Sequence, residues 1–145
     1  MTVRVMDNFL KYLCGAAMSL LGLLAPVRDL IVCAVVFIAI DFVTGVAADR
    51  KAARLAGRPW GFESDKAWNT VVKLGFVMGG IVLAWLIDRF MLDFMTLNLA
   101  KLFTGFVCGV EFWSYLENAA VVSNHPVFRY LKKFMKDKFD KELSK

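Results

Sequence analysis

Apolar residues in this chain gather into four runs, 9–25, 30–48, 68–87 and 97–119, each broken by few charges. A helix needs about 20 consecutive apolar residues to cross a hydrocarbon core of about 30 Å, and each run comes close to that length. The charged residues fall mainly in blocks between or after the runs: 50–66, 88–93 and 129–145. The pattern predicts an all-α fold, a membrane-embedded bundle of about four transmembrane helices in one domain spanning 1–145.

The first run carries Lys11 near its start and is stopped by Pro26, which disfavours a helical residue before it. A signal peptide is the competing reading, but no small-x-small cleavage pattern precedes Pro26, so the segment is read as retained. Its marginal length also leaves open a helix lying in the interface. The second run contains one charge, Asp41. A central carboxylate costs about 3 kcal/mol on the insertion scale, which the many Leu, Ile, Val and Phe residues around it offset. The segment 49–67 then reads as a basic loop with the turn-forming sequence Gly57-Arg58-Pro59-Trp60-Gly61. Ser64, with Asp65 after it, is expected to cap the third helix, since its hydroxyl can accept from a first-turn amide.

The tail, 127–145, changes period. Phe128, Leu131, Met135 and Phe139 recur at three and four residues, with Arg129, Lys132, Lys133, Lys136 and Lys141 between them. This predicts a basic amphipathic helix. Two placements fit: on an anionic membrane face with its lysines near lipid phosphates, or packed against the cytoplasmic helix ends. Nucleic acid fits less well, because the basic residues alternate with a buried-type stripe and not with exposed aromatics.

Composition sharpens the picture. Of the 145 residues 59% are hydrophobic and 14% aromatic, more than a small soluble core can bury, while the 21% that are charged are segregated. Cys14, Cys33 and Cys108 lie in separate apolar runs with no CxxC spacing and read as small hydrophobes. His125 is the only histidine. Nothing here resembles a metal-ligand set or a nucleophile with a base, so no catalysis, metal or cofactor is expected.

Basic residues set the orientation. They cluster at Arg4 and Lys11, in the loop 49–67 and in the tail, whereas the other two connections carry only Arg28 and Arg89. The alternation fits four spans with both termini cytoplasmic.

Counted from the cytoplasmic helix ends, Asp41 and Glu111 lie ~12 Å deep and Lys73 ~7 Å, one zone of the inner leaflet. Charged groups at such depth usually pair or face a wet cavity. Two readings follow: these residues line a pore or gate, or they pair, as Asp41 with Lys73, to fix helix order. On the fourth run, Glu111, Ser114, Glu117 and Asn118 share one face. Gly75 and Gly79, and likewise Gly105 and Gly109, form small-xxx-small pairs suited to close helix packing.

The sequence Asp41-Phe-Val-Thr44-Gly45 ends one span. A basic loop follows, then Ser64 opening a helix that holds Lys73, and Ser114-Tyr-Leu-Glu117-Asn118 near the end of a later span. In order and spacing these resemble the toxin-secretion/phage-lysis holin family over roughly 30–135. The resemblance implies a small protein of the bacterial inner membrane that homo-oligomerises and opens lesions through which an endolysin or toxin leaves. Asp41, Thr44, Gly45, Lys73, Glu117 and Asn118 carry over as motif positions; Glu111 rests on its depth alone. The chain departs from the family in the aromatic and glycine-rich stretch 54–62, which leaves a cytoplasmic protein partner at the loop or tail open. Two alternatives stand beside this: a membrane scaffold or anchor of a larger defence or secretion assembly, and an ion or proton conduit with Asp41 and Glu111 as relay carboxylates.

Overall fold

The structure is a computed structural model that describes residues 6, 11–15, 18, 19, 22, 24–92, 97–123 and 125–143, leaving out the side chains of 132, 138–140, 142 and 143. Residues 9, 10, 16, 17, 20, 21 and 23 of the predicted first span, 9–25, lie outside the described residues; 11–15, 18, 19, 22 and 24 are helical. A short 3-10 turn, Ala25–Val27, leads into four helices: α1 Arg28–Leu55, α2 Ser64–Phe90, α3 Leu99–Ser123 and α4 Pro126–Leu143. No strand occurs among the described residues.

Helix ends do not coincide with the ends of the apolar runs. The chain passes from the turn at Pro26 straight into α1, because proline is tolerated in a first turn where its missing N–H is not needed. At the other end α1 continues past residue 48 to Leu55. Apart from Asp49, that extension is filled by Arg, Lys, Ala and Leu, which are good helix formers. The apolar run therefore marks where a bilayer core would lie, not where hydrogen bonding stops. The expected loop 49–67 shrinks to 56–63.

Gly57 ends α1. Its φ of +66° lets the Gly57 amide donate to the Arg54 carbonyl and the Arg58 amide to that of Ala53, at 3.3 and 3.1 Å. This is the left-handed closure that only glycine adopts without strain. Ser64 does not cap α2: it is the first helical residue, Glu63 holds the cap position, and no side-chain capping bond forms.

Contacts along the helices give their directions. Rising numbers on α1 meet rising numbers on α3 (Cys33 with Cys108, Asp41 with Asn118, Lys51 with Val122), so these two run parallel. Lys73 of α2 meets Glu111 of α3, and Gly80 meets Phe103, so α2 runs antiparallel to α3. α3 packs most extensively on α1, then on α2, and carries α4 against its C-terminal part. With 28, 27 and 25 residues, the first three are each about 38–42 Å long at 1.5 Å per residue.

The core is small. Val27, Ala34 and Ile81 are buried, packed around by Leu30, Ile31, Val77, Trp85 and Phe103. Ala25–Leu55 and Ser64–Phe90 are long and apolar enough to cross a membrane, yet only 11% of the apolar window of each is buried within the subunit. The core helix of a soluble protein would be mostly covered. Phe76, Leu83 and Phe90 on α2 and Leu102 and Phe106 on α3 point outward instead.

Candidate functional site

Asp41, Lys73 and Glu111, the charged residues that sequence places at one depth, fall into two separate interhelical contacts. Lys73 Nζ donates to Glu111 Oε2 at 2.9 Å, joining α2 to α3. Asn118 Nδ2 donates to Asp41 Oδ1 at 3.0 Å, joining α3 to α1. The expected pairing of Asp41 with Lys73 is thus replaced: each residue takes its partner from α3, the helix between their own. Glu111 and Asn118 stand seven residues apart on α3, or ~10 Å along its axis. That offset keeps both on one face, toward the groove between α1 and α2.

Burial differs between the partners. Glu111 is 5% exposed, whereas the Lys73 side chain is 40% exposed, long enough to cover apolar surface while its ammonium reaches inward. Among the described residues no buried side-chain nitrogen or oxygen lacks a hydrogen bond.

Backbone geometry explains why these positions carry the residues they do. Thr44 turns its hydroxyl onto its own helix, donating to the Ile40 and Asp41 carbonyls at 2.9 and 3.0 Å, the local bonding open to a mid-helix threonine. Gly45, one turn after Asp41, leaves room for the Asn118 amide: a Cβ there would stand 3.4 Å from Nδ2. The Asp-x-x-Thr-Gly stretch and the Asn of Ser-x-x-Glu-Asn are therefore two halves of one contact. Glu117 belongs elsewhere. It is exposed and accepts from Trp113 Nε1 at 3.2 Å, while Ser114 is half-buried.

The small-xxx-small glycines do not pack helices within the subunit. A Cβ on Gly75, Gly79, Gly105 or Gly109 would meet nothing described within 4 Å. The close approach falls at Gly80, where a Cβ would come 2.6 Å from Cζ of Phe103. A lone glycine outside the repeat carried no spacing signal, so sequence reasoning passed it over.

Both ends of the bundle are tied by charge. At one end Asp88 accepts from the Leu99 and Ala100 amides, both at 2.8 Å, and so caps α3 from another helix. At the other, Asp49 takes Lys66 at 3.1 Å and Arg58 at 3.7 Å, and Lys51 donates to the Val122 carbonyl near the end of α3 at 3.0 Å. The loop 56–63 folds back on α1, with Phe62 edge-on to Phe42 at 6.5 Å and the Arg50 guanidinium 5.7 Å from the Trp60 ring. Its unexpected aromatics are used on the chain itself.

In the tail, Phe128 meets Tyr115 edge-on at 6.4 Å, and Leu131 and Met135 are half-buried. Part of the predicted apolar stripe therefore faces the bundle. Val127, Tyr130 and Phe134 are exposed on α4, as are Arg129, Lys133 and Lys136, while the Lys132 side chain lies outside the description. Among the described residues no three metal-ligating side chains come together.

A family model described as Bacteriophage holin family matches residues 10–138. No curated protein and no solved structure matches the chain.

Proposed function

The chain belongs to the bacteriophage holin family, and from that premise we propose that it assembles with copies of itself in the bacterial cytoplasmic membrane and opens the lesion that releases an endolysin or toxin. The observation that carries this reading is the family match over most of the chain, taken with two apolar helices that are only 11% buried in the subunit. Such helices need lipid or other subunits against their outer faces.

In this reading α1, α2 and α3 cross the bilayer together with the segment 9–25, and both termini are cytoplasmic. The alternation of basic segments and the up-down-up order of α1, α2 and α3 support it. α3 holds Lys101, Glu111 and Glu117, but Glu111 is paired inside the bundle, which lowers the cost of placing it among lipids. The pairs Lys73 with Glu111 and Asp41 with Asn118 fix helix order in the subunit. The open glycine faces of α2 and α3, beside exposed Phe76 and Phe106, serve contacts between subunits.

Expression of the full chain alone from an inducible promoter in a bacterial host is the test. Entry of a membrane-impermeant dye is expected after a delay, with lysis when a muralytic enzyme is made in the same cells. A membrane-inserted chain that never admits dye would favour the scaffold reading.

A further inference from the structure

Sequence places the three cysteines in separate apolar runs, where each reads as a small hydrophobic residue. The fold brings two of them together. Cys33 of α1 and Cys108 of α3, 75 residues apart in sequence, have their sulfurs 3.8 Å apart in a thiol–thiol contact. Both are free thiols, Cys33 exposed and Cys108 half-buried. They sit between the two most extensively packed helices, whose register is held further along by the bond from Asn118 to Asp41.

We propose that Cys33 and Cys108 form a redox-modification site, at which a peroxide-class oxidant closes an intramolecular disulfide that clamps α1 to α3. The sulfurs must approach from 3.8 Å to a bond length of about 2.04 Å. A change of side-chain rotamer with a small shift of two parallel helices supplies that. Cys33, the thiol less covered by the bundle, reacts first. Its sulfur, having lost its proton, attacks one peroxide oxygen; the O–O bond breaks and hydroxide leaves, taking up the proton as water. The Cys108 sulfur then attacks the sulfenic sulfur of Cys33, the S–O bond breaks, and the departing hydroxide takes the Cys108 proton as a second water. Two thiols and one hydrogen peroxide give one disulfide and two waters. Any movement that parts α1 from α3 then requires the reduced pair.

The site rests on this geometry alone, independently of what the chain does to membranes. The test treats membranes holding the full chain with hydrogen peroxide, blocks remaining thiols by alkylation, and compares non-reducing gels with mass spectrometry of the digested monomer. Most of the monomer is expected to migrate faster, to yield a peptide linking Cys33 to Cys108, and to revert with dithiothreitol. Cys14→Ser should behave identically, which removes the remaining thiol as a partner, and Cys33→Ser or Cys108→Ser should abolish the faster band. Wild-type and Cys14→Ser monomers in which Cys33 and Cys108 both remain open to alkylation after peroxide would overturn the site. So would disulfides found only in dimers.

Discussion

Glu111 is the residue on which the bundle depends most sharply, because its carboxylate is almost fully covered and is met by the Lys73 ammonium at 2.9 Å. Removing one partner of a buried pair leaves the other charge uncompensated, which costs about 3–5 kcal/mol, whereas removing both is far milder. Lys73→Met is therefore expected to destabilise the chain by about 3 kcal/mol, toward the low end because the lysine is partly exposed. Glu111→Gln added to Lys73→Met should recover a large part of it. Denaturant unfolding in detergent micelles measures the cycle, and strictly additive effects of the two changes would mean that the pair is not coupled. Asp41 is engaged more softly, by the neutral amide of Asn118. A hydrogen bond to a charged group of this kind contributes about 1.5–3 kcal/mol.

Between elements, the contrast lies between two adjacent glycines of α2. Gly80 faces α3, and a Cβ there would come 2.6 and 2.7 Å from ring atoms of Phe103. Phe103 is half-buried against the core of Val27, Ala34 and Ile81, so its ring must shift to admit a Cβ. Overpacking of this sort costs about 1–3 kcal/mol, so Gly80→Ala is expected to loosen α2 from α3 by that amount. Gly79, one residue earlier, is open. Gly79→Ala should leave the subunit's stability unchanged, or raise it slightly through helix propensity. If the open face meets other subunits, the same change should shift the cross-linked ladder of the membrane-embedded chain toward monomer. An unaltered ladder would remove this face from the assembly, and equal loss of subunit stability at both glycines would contradict the packing.

For the molecule as a whole, orientation is the consequence most open to test. The parallel run of α1 and α3, with α2 antiparallel between them in sequence, places the 56–63 loop, the end of α3 and the start of α4 at one end, and the end of α2 with the start of α3 at the other. The first end carries Arg50, Lys51, Arg54, Arg58 and Lys66 together with the basic residues of α4, and on that excess of positive charge we propose that it faces the cytoplasm. In a chain without other cysteines, Met91→Cys and Arg28→Cys should react with an impermeant maleimide added outside intact cells whose outer barrier has been opened. Arg54→Cys and Lys141→Cys should react only once the inner membrane is breached. Labelling of Arg54→Cys from outside would invert the orientation.

Hydrophobic patterning by itself determined the helical class and the places of the apolar segments, because burial in lipid or protein imposes long apolar runs on a sequence whatever its neighbours are, while the resemblance to the family came from the order and spacing of Asp41-x-x-Thr44-Gly45 and Ser114-x-x-Glu117-Asn118. It also located Asp41, Lys73, Glu111 and Asn118 as polar residues in apolar surroundings. Which of them meet was decided only by tertiary structure. Depth along a helix says how far a residue lies from the membrane surface, but partners depend on the azimuth and crossing of packed helices, so Lys73 found Glu111 and Asp41 found Asn118. For the same reason Gly80 and not the glycine repeats carries the close contact, Asp88 caps a helix eleven residues away, and two cysteines 75 residues apart become neighbours. Helix ends followed local backbone chemistry at Pro26 and Gly57, which hydropathy does not report.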